Sequence, residues 1–193
     1  MEKNMKSIKL TNLEEDLKKN QIEIMLYPSK CDGCEGQEYK SCVQACETHM
    51  KEKYGKYNTA RINIKSKGNK FFPILCHNCE EAPCVDACMP GARYRDIENG
   101  WTLTNYKKCV GCWMCVMVCP FGAIERVGKD HYASKCDGCI DEDTPKCVEA
   151  CKKGALKKTG IKNYSYERRL MIANKLYGPH LKINYNRYKN NNR

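Results

Sequence analysis

The 193-residue chain is short of the material for an ordinary apolar core, with three Phe, two Trp and a mean hydropathy of −0.71. No apolar run approaches the ~20 residues of a membrane-spanning helix. The longest candidate is Phe71-Phe72-Pro73-Ile74-Leu75. The opening Met1-Glu2-Lys3-Asn4-Met5-Lys6 shows neither the apolar centre of a secretion signal nor an Arg pair, so the expected location is the cytoplasm. There is no Gly-x-Gly, which removes the dinucleotide fingerprint. No Gly-Lys precedes Ser or Thr, which removes a phosphate-binding loop. Scattered Ser, Asp and Glu form no catalytic constellation, so the chain is expected to have no substrate site of its own.

Cysteine is what the chain has in excess, sixteen in all. A cytoplasmic compartment keeps thiols reduced, so a metal explains them better than a disulfide framework. They fall into four groups of four. Group I is Cys31-x2-Cys34-x7-Cys42-x3-Cys46, and group II is Cys76-x2-Cys79-x4-Cys84-x3-Cys88. Group III is Cys109-x2-Cys112-x2-Cys115-x3-Cys119-Pro120, and group IV is Cys136-x2-Cys139-x7-Cys147-x3-Cys151. This is an internal repeat recognised by its chemistry. Gly-Ala follows the last Cys of three groups, at Gly91-Ala92, Gly122-Ala123 and Gly154-Ala155, while group I continues Glu47-Thr48-His49-Met50.

The intervals read as short strands and the groups as short helices. Arg93 to Ile97 and Trp101 to Asn105 flank Glu98-Asn99-Gly100, where Asn-Gly signals a hairpin. Ala123 to Val127 and His131 to Ser134 flank Gly128-Lys129-Asp130, a second hairpin. Ile22 to Tyr27 is a strand entering group I, and Ala155 to Thr159 one leaving group IV. The x3 spacing between third and fourth Cys suits one helical turn. Gly111 and Gly138 sit where backbone must pass close to a ligand. Thr11 or Asn12 caps an expected N-terminal helix bearing Leu13 and Leu17.

Thiolates are soft ligands suited to zinc or to iron–sulfur clusters. Zinc takes four ligands round one ion, and group I or IV alone would satisfy it. Group III would not do so easily, because three Cys within seven residues followed by Cys-Pro form the bacterial ferredoxin run. In two-cluster ferredoxins the fourth Cys of each run ligates the other cluster. The groups therefore pair as I/II with III/IV, or nested as I/IV with II/III. The matched spacings of I and IV favour nesting, with the first and last strands closing one small sheet.

The run Cys109-Val-Gly-Cys112-Trp-Met-Cys115-Val-Met-Val-Cys119-Pro120 and the segment Cys76-His-Asn-Cys79-Glu-Glu-Ala-Pro-Cys84 resemble four-cluster ferredoxin-type electron-transfer subunits. Such subunits accompany DMSO reductases, formate dehydrogenases, formate hydrogenlyases, tungsten aldehyde oxidoreductases and carbon monoxide dehydrogenases. The resemblance spans roughly residues 22–159. It implies an α+β fold of two ferredoxin-like lobes, one inserted in the other, with small antiparallel hairpins and short helices around four 4Fe-4S clusters. The outer lobe would be residues 22–46 plus 136–159 and the inner lobe 71–135. The remainder would be an N-terminal extension (1–21), a basic insertion (47–70) and a basic, Tyr-rich C-terminal arm (160–193). The implied ligand sets are Cys31, Cys34, Cys42 with Cys151, and Cys136, Cys139, Cys147 with Cys46. The inner pair is Cys76, Cys79, Cys84 with Cys119, and Cys109, Cys112, Cys115 with Cys88.

With every Cys so committed, His49, His77, His131 and His180 are not needed as ligands, and His77 is expected to tune its surroundings. Trp113 and Met114 are expected to shield a cluster from water. The formal charge is +11. An oxidised cubane with four thiolates carries about −2, so four would leave about +3. The expected role is electron relay between a catalytic oxidoreductase subunit and a second redox protein, with no nucleic-acid partner. The rivals are a free polyferredoxin and a zinc-bound nucleic-acid binder. The C-terminal arm reads either as a solvated tail or as a segment lying along a partner.

Overall fold

Strands too short to stand alone pair two by two around the cysteine loops in a computed structural model, which describes residues 24–34, 40–159 and 161–177. β1 (Ile24–Leu26) pairs antiparallel with β8 (Leu156–Lys158), with Leu26 opposite Leu156. The strand entering group I and the strand leaving group IV thus meet, although 130 residues separate Leu26 from Leu156 in the chain. The other pairs are local hairpins: β2 (Asn63–Lys67) with β3 (Lys70–Ile74), β4 (Arg93–Arg95) with β5 (Thr102–Thr104), and β6 (Glu125–Val127) with β7 (Tyr132–Ser134). The N-terminal helix expected around Leu13 lies outside the described residues.

The Asn99-Gly100 pair marks the β4–β5 hairpin but is not its two-residue turn. Asp96 accepts from the Glu98 N–H at 2.9 Å, and the Asp96 N–H donates to the Trp101 carbonyl at 2.8 Å. The side chain of Asp96 competes for the turn and widens it. Asn78, in the group II loop, then clasps the far side. Its amide donates to the Gly100 carbonyl at 3.1 Å and accepts from the Thr102 N–H at 2.9 Å.

The x3 spacing yields the expected single turn in three groups: α2 (Pro83–Asp86), α3 (Met114–Met117) and α4 (Lys146–Glu149). Each buries its group's third Cys and delivers the fourth just beyond its end. Group I differs, because its helix α1 runs fourteen residues, Ser41–Tyr54. Cys42, Cys46, His49 and Met50 form its buried stripe, at the i, i+4, i+7, i+8 spacing of one helix face. Gly55 stops it at φ 58°, a conformation that disfavours a Cβ. The basic insertion is therefore the end of this helix plus the β2–β3 hairpin.

Two small cores hold the loops. Ile24, Leu26, Met50, Ile62, Leu75 and Leu156 pack round Cys42, Cys46 and Cys147. Ala82, Ile124 and Ala133 pack round Cys84 and Cys115. Each fully buried aliphatic side chain contributes about 1.5–3 kcal/mol, so few residues hold a great deal here. Tyr54, Tyr57, Tyr106 and Tyr132 add a ring cluster, with Tyr57 stacked on Tyr106 at 4.7 Å. Residues 160–193 form a second unit, whose described part is the helix α5 (Ile161–Tyr177). Tyr185 and Tyr188 lie outside the described residues.

Candidate metal centres

Every group opens on the same turn. The residue before the second Cys has positive φ in all four: Gly33 at 66°, Asn78 at 45°, Gly111 at 66° and Gly138 at 73°. In groups II and IV this points a backbone N–H back at the first sulfur, a cradle suited to anions. The Asn78 N–H donates to Cys76 Sγ at 3.4 Å, and the Gly138 N–H to Cys136 Sγ at 3.3 Å. All three of these glycines are also fixed by space, Gly33 by the Phe71 ring 2.3 Å from where its Cβ would lie. A Cβ on Gly138 would lie 2.4 Å from the ring of the fully buried Trp101, and one on Gly111 would lie 2.5 Å from the His131 carbonyl oxygen.

Cysteines distant in sequence converge. Cys31, Cys34 and Cys42 line one cavity together with Cys151. Burial, then the neighbouring thiols of Cys34, Cys151 and Cys31, pushes the Cys42 thiol up to about 12. A second cavity is lined by Cys136, Cys139, Cys147 and Cys46. Burial raises Cys147, and the thiols of Cys46 and Cys139 raise it further. A third cavity is lined by Cys109, Cys112, Cys115 and Cys88. In group II, burial raises Cys79, with Cys76 and then Cys119 adding to the effect. Burial and the Cys76 and Cys119 thiols likewise raise Cys84, against Arg93 and Lys135. Cys136 is raised by burial and next by Cys76, so the second cavity adjoins the group II cysteines.

Group I lacks the terminal Gly-Ala in sequence, yet its geometry is recovered further along the chain. The Arg93 N–H, just after Gly91-Ala92, donates to Cys88 Sγ at 3.3 Å. The Arg61 N–H, after Thr59-Ala60, donates to Cys46 Sγ at 3.1 Å. The same contact is made five residues on in one group and fifteen in the other.

Both arginines are buried, at 4% and 3% exposure, as is Lys135 at 3%. Arg93 donates to Thr104 Oγ1 and the Ala133 carbonyl, both at 3.1 Å. Lys135 donates to the Thr102 carbonyl at 2.6 Å and the Cys136 carbonyl at 2.7 Å. Arg61 donates to Ser134 Oγ and, at 2.8 Å, to the Tyr57 carbonyl. These acceptors are all neutral. Buried cations without counter-ions cost several kcal/mol each. Arg61 moreover lines the second cavity, and its buried Nε has no acceptor among the described residues. Anionic clusters in the cysteine cavities fit this set, both as thiolate-bound groups and as the missing negative charge. Among the described residues no three His, Cys, Asp or Glu side chains meet closely enough to hold a single metal ion.

One carboxylate works in the opposite sense. Asp137 lies between Cys136 and Cys139, 5% exposed. Burial pushes its carboxyl up, but Lys53 at 2.8 Å and the Tyr54 hydroxyl at 2.7 Å outweigh that and hold it below the usual carboxylate range. α1 is thereby tied to the group IV loop. Asp32 takes the same place in group I, accepting from the Cys34 N–H at 3.0 Å and pairing with Lys153 at 3.0 Å.

Trp113 is half-buried under the Arg126 guanidinium, 4.7 Å from its ring. Met114 is 40% exposed and shields little, and Cys112 is exposed beside it. The His77 ring lies 4.1 Å from that of Phe121. Sequence reasoning missed the buried Arg61, Arg93 and Lys135; the Arg that follows Gly91-Ala92 was the available signal.

A family signature described as a 4Fe-4S dicluster domain matches residues 68–160. The chain is 33% identical over 147 residues to an uncharacterised ferredoxin of Methanocaldococcus jannaschii, covering 76% of this chain and 78% of that one. It is 32% identical over 148 residues to the thiosulfate reductase electron transfer subunit of Salmonella typhi, covering 69% and 73%. Over a shorter stretch of 90 residues it is 42% identical to a subunit of the sulfite dehydrogenase of Allochromatium vinosum, covering 42% of this chain and 38% of that one.

Proposed function

Because the chain belongs to the 4Fe-4S dicluster ferredoxin family, we propose that it is the electron-relay subunit of a cytoplasmic oxidoreductase complex, with four 4Fe-4S clusters held in two nested ferredoxin-like lobes. The ligand sets are Cys31, Cys34, Cys42 with Cys151; Cys46 with Cys136, Cys139, Cys147; Cys76, Cys79, Cys84 with Cys119; and Cys88 with Cys109, Cys112, Cys115. The observation that carries this reading is the meeting of Cys151 with Cys31, Cys34 and Cys42 in one cavity, across more than a hundred residues of chain. Local metal sites would have kept each group to itself.

The clusters supply one-electron chemistry; the residues of the chain set spacing, burial and charge. On this reading the cavity of Cys31 serves as one end of the relay and that of Cys112 as the other. The raising of Cys136 by Cys76 supports a junction between the lobes in the middle. A catalytic subunit of the molybdenum or tungsten, formate dehydrogenase or carbon monoxide dehydrogenase kind takes or gives electrons at one end, and a second redox protein serves the other. The relatives named as subunits of a thiosulfate reductase and a sulfite dehydrogenase support a catalytic partner. No described helix is long and apolar enough to cross a membrane.

Anaerobic titration of the holoprotein with a one-electron reductant is the test. It should take up about four electrons per chain, one per cluster, and return them to a dye. A chain that holds its iron and takes up no electrons contradicts relay.

A further inference from the structure

The β2–β3 hairpin begins in the basic insertion and runs on to Ile74, and its two faces differ in chemistry. In an antiparallel pair, alternate residues share a face. The register sets Ile64 opposite Pro73 and Ser66 opposite Phe71 on one face. Phe71 and Pro73 turn this face inward, while Ser66 at its far end is exposed. Pro73 is buried and lines the cavity of Cys31, Cys34, Cys42 and Cys151. The Phe71 ring occupies the space that a Cβ on Gly33 would need, 2.3 Å away, inside the group I loop. The other face sets Lys65 opposite Phe72 and Lys67 opposite Lys70. All four side chains are exposed, Phe72 by 52%. None of these lysines forms an ion pair with a described residue. Across the same cavity, Lys152 and Lys153 make up part of the rim.

We propose that this outer face, Lys65, Lys67 and Lys70 around Phe72, is the docking surface for an acidic redox protein that exchanges electrons at the Cys31–Cys151 end of the chain. Three cations round one exposed ring form a polar, charged rim with an apolar centre, the pattern of a transient interface. The charge commits the partner's chemistry, since like-charged surfaces are repelled and carboxylates round an apolar spot are drawn in. The inward face supplies the reason for the location. A partner seated on Phe72 sits one strand thickness from Phe71 and the loop holding Cys31 and Cys34. The hairpin thus serves as a roof over the terminal site and as a landing surface. This rests on the relay reading above, deepening it by naming one partner's surface.

The test uses the pre-reduced holoprotein and two acceptors: an acidic plant-type ferredoxin and neutral lumiflavin. The unmodified chain should reduce the ferredoxin quickly at low salt and more slowly at high salt, because screening weakens attraction between exposed charges. The variant K65E/K67E/K70E should lose roughly tenfold or more of the low-salt rate, the scale of electrostatic steering. It should lose its salt dependence, while iron content and the lumiflavin rate stay unchanged. Phe72→Ser should lower the ferredoxin rate at both salt concentrations. The same charge change placed at Lys107, Lys108 and Lys129 should have little effect. An unchanged ferredoxin rate in K65E/K67E/K70E overturns the proposal. So does an equal loss with lumiflavin, or an equal loss from the control set. A holoprotein that reduces neither acceptor refutes relay itself and not the docking surface alone.

Discussion

Cys119→Ala should remove the cluster held by Cys76, Cys79 and Cys84 and spare the one held by Cys109, Cys112 and Cys115. The substitution falls in the group III run by sequence, so the naive expectation is the reverse. The reason lies in α3, which buries Cys115 and ends before Cys119. The Cys119 thiol reaches Cys79 and Cys84, where its charge raises both. The place it leaves in the group III cavity is taken by Cys88, from the end of α2. Loss of one of four thiolates should release or degrade one cubane, about four iron per chain. The check is spectroscopic comparison with two reference variants. Cys119→Ala should give the electron paramagnetic resonance spectrum of Cys84→Ala. A match with Cys115→Ala instead would mean that each run ligates its own cluster.

Lys135→Met should lower the reduction potential of that same cluster, and Arg93→Leu should lower both that potential and the potential of the cluster held by Cys88, Cys109, Cys112 and Cys115, whose cavity Arg93 lines. A nearby cation favours the more negative, reduced state, so its removal makes reduction harder. Both side chains are only 3% exposed, so solvent screens them little. At ~7 Å and an effective dielectric near 20, one unit charge is worth ~2.4 kcal/mol. That is ~100 mV for a one-electron couple. Asp137→Asn should act in the opposite direction on the cluster of Cys46, Cys136, Cys139 and Cys147, because it removes a nearby anion. Potentiometric titration of the loaded chain reads all three. Arg93→Lys, which keeps the charge, should retain most of the original potential. Equal potentials in Arg93→Leu and the unmodified chain would show that the buried cations serve packing alone.

What could be read from the sequence follows the physics of each element. The three short helices were legible because Cys at i and i+4 lie about one helical turn apart and a Gly-Ala follows the fourth Cys of each, whereas group I has the same spacing without Gly-Ala and its helix runs on. The hairpins at Asn99-Gly100 and Gly128 were legible from their turn residues, though Asp96 widened the first. The long helix α1 was hidden because its exposed face, with Glu47, Thr48, Lys51 and Glu52, dilutes the stripe of Cys42, Cys46, His49 and Met50. The β2–β3 hairpin has no apolar alternation to detect: β2 has Ile64 alone among Asn, Ser and Lys, and in β3 the apolar residues Phe71 to Ile74 run together, with Phe72 exposed. Arg61 could not be matched to Arg93 from sequence because the detour of α1 separates it from Cys46. Its role depends on a backbone N–H, which any residue but proline supplies. The convergence of Cys151 on Cys31 was implied by the family resemblance, with repeat spacing only favouring it, yet it depends on β1 meeting β8, a pairing that three residues on each side barely announce.

The central claim is that sixteen thiolates hold four cubanes. Iron and acid-labile sulfide, measured per chain after anaerobic preparation and reconstitution, test it most directly. About sixteen of each are expected. A reproducible value near four zinc per chain without sulfide would contradict it.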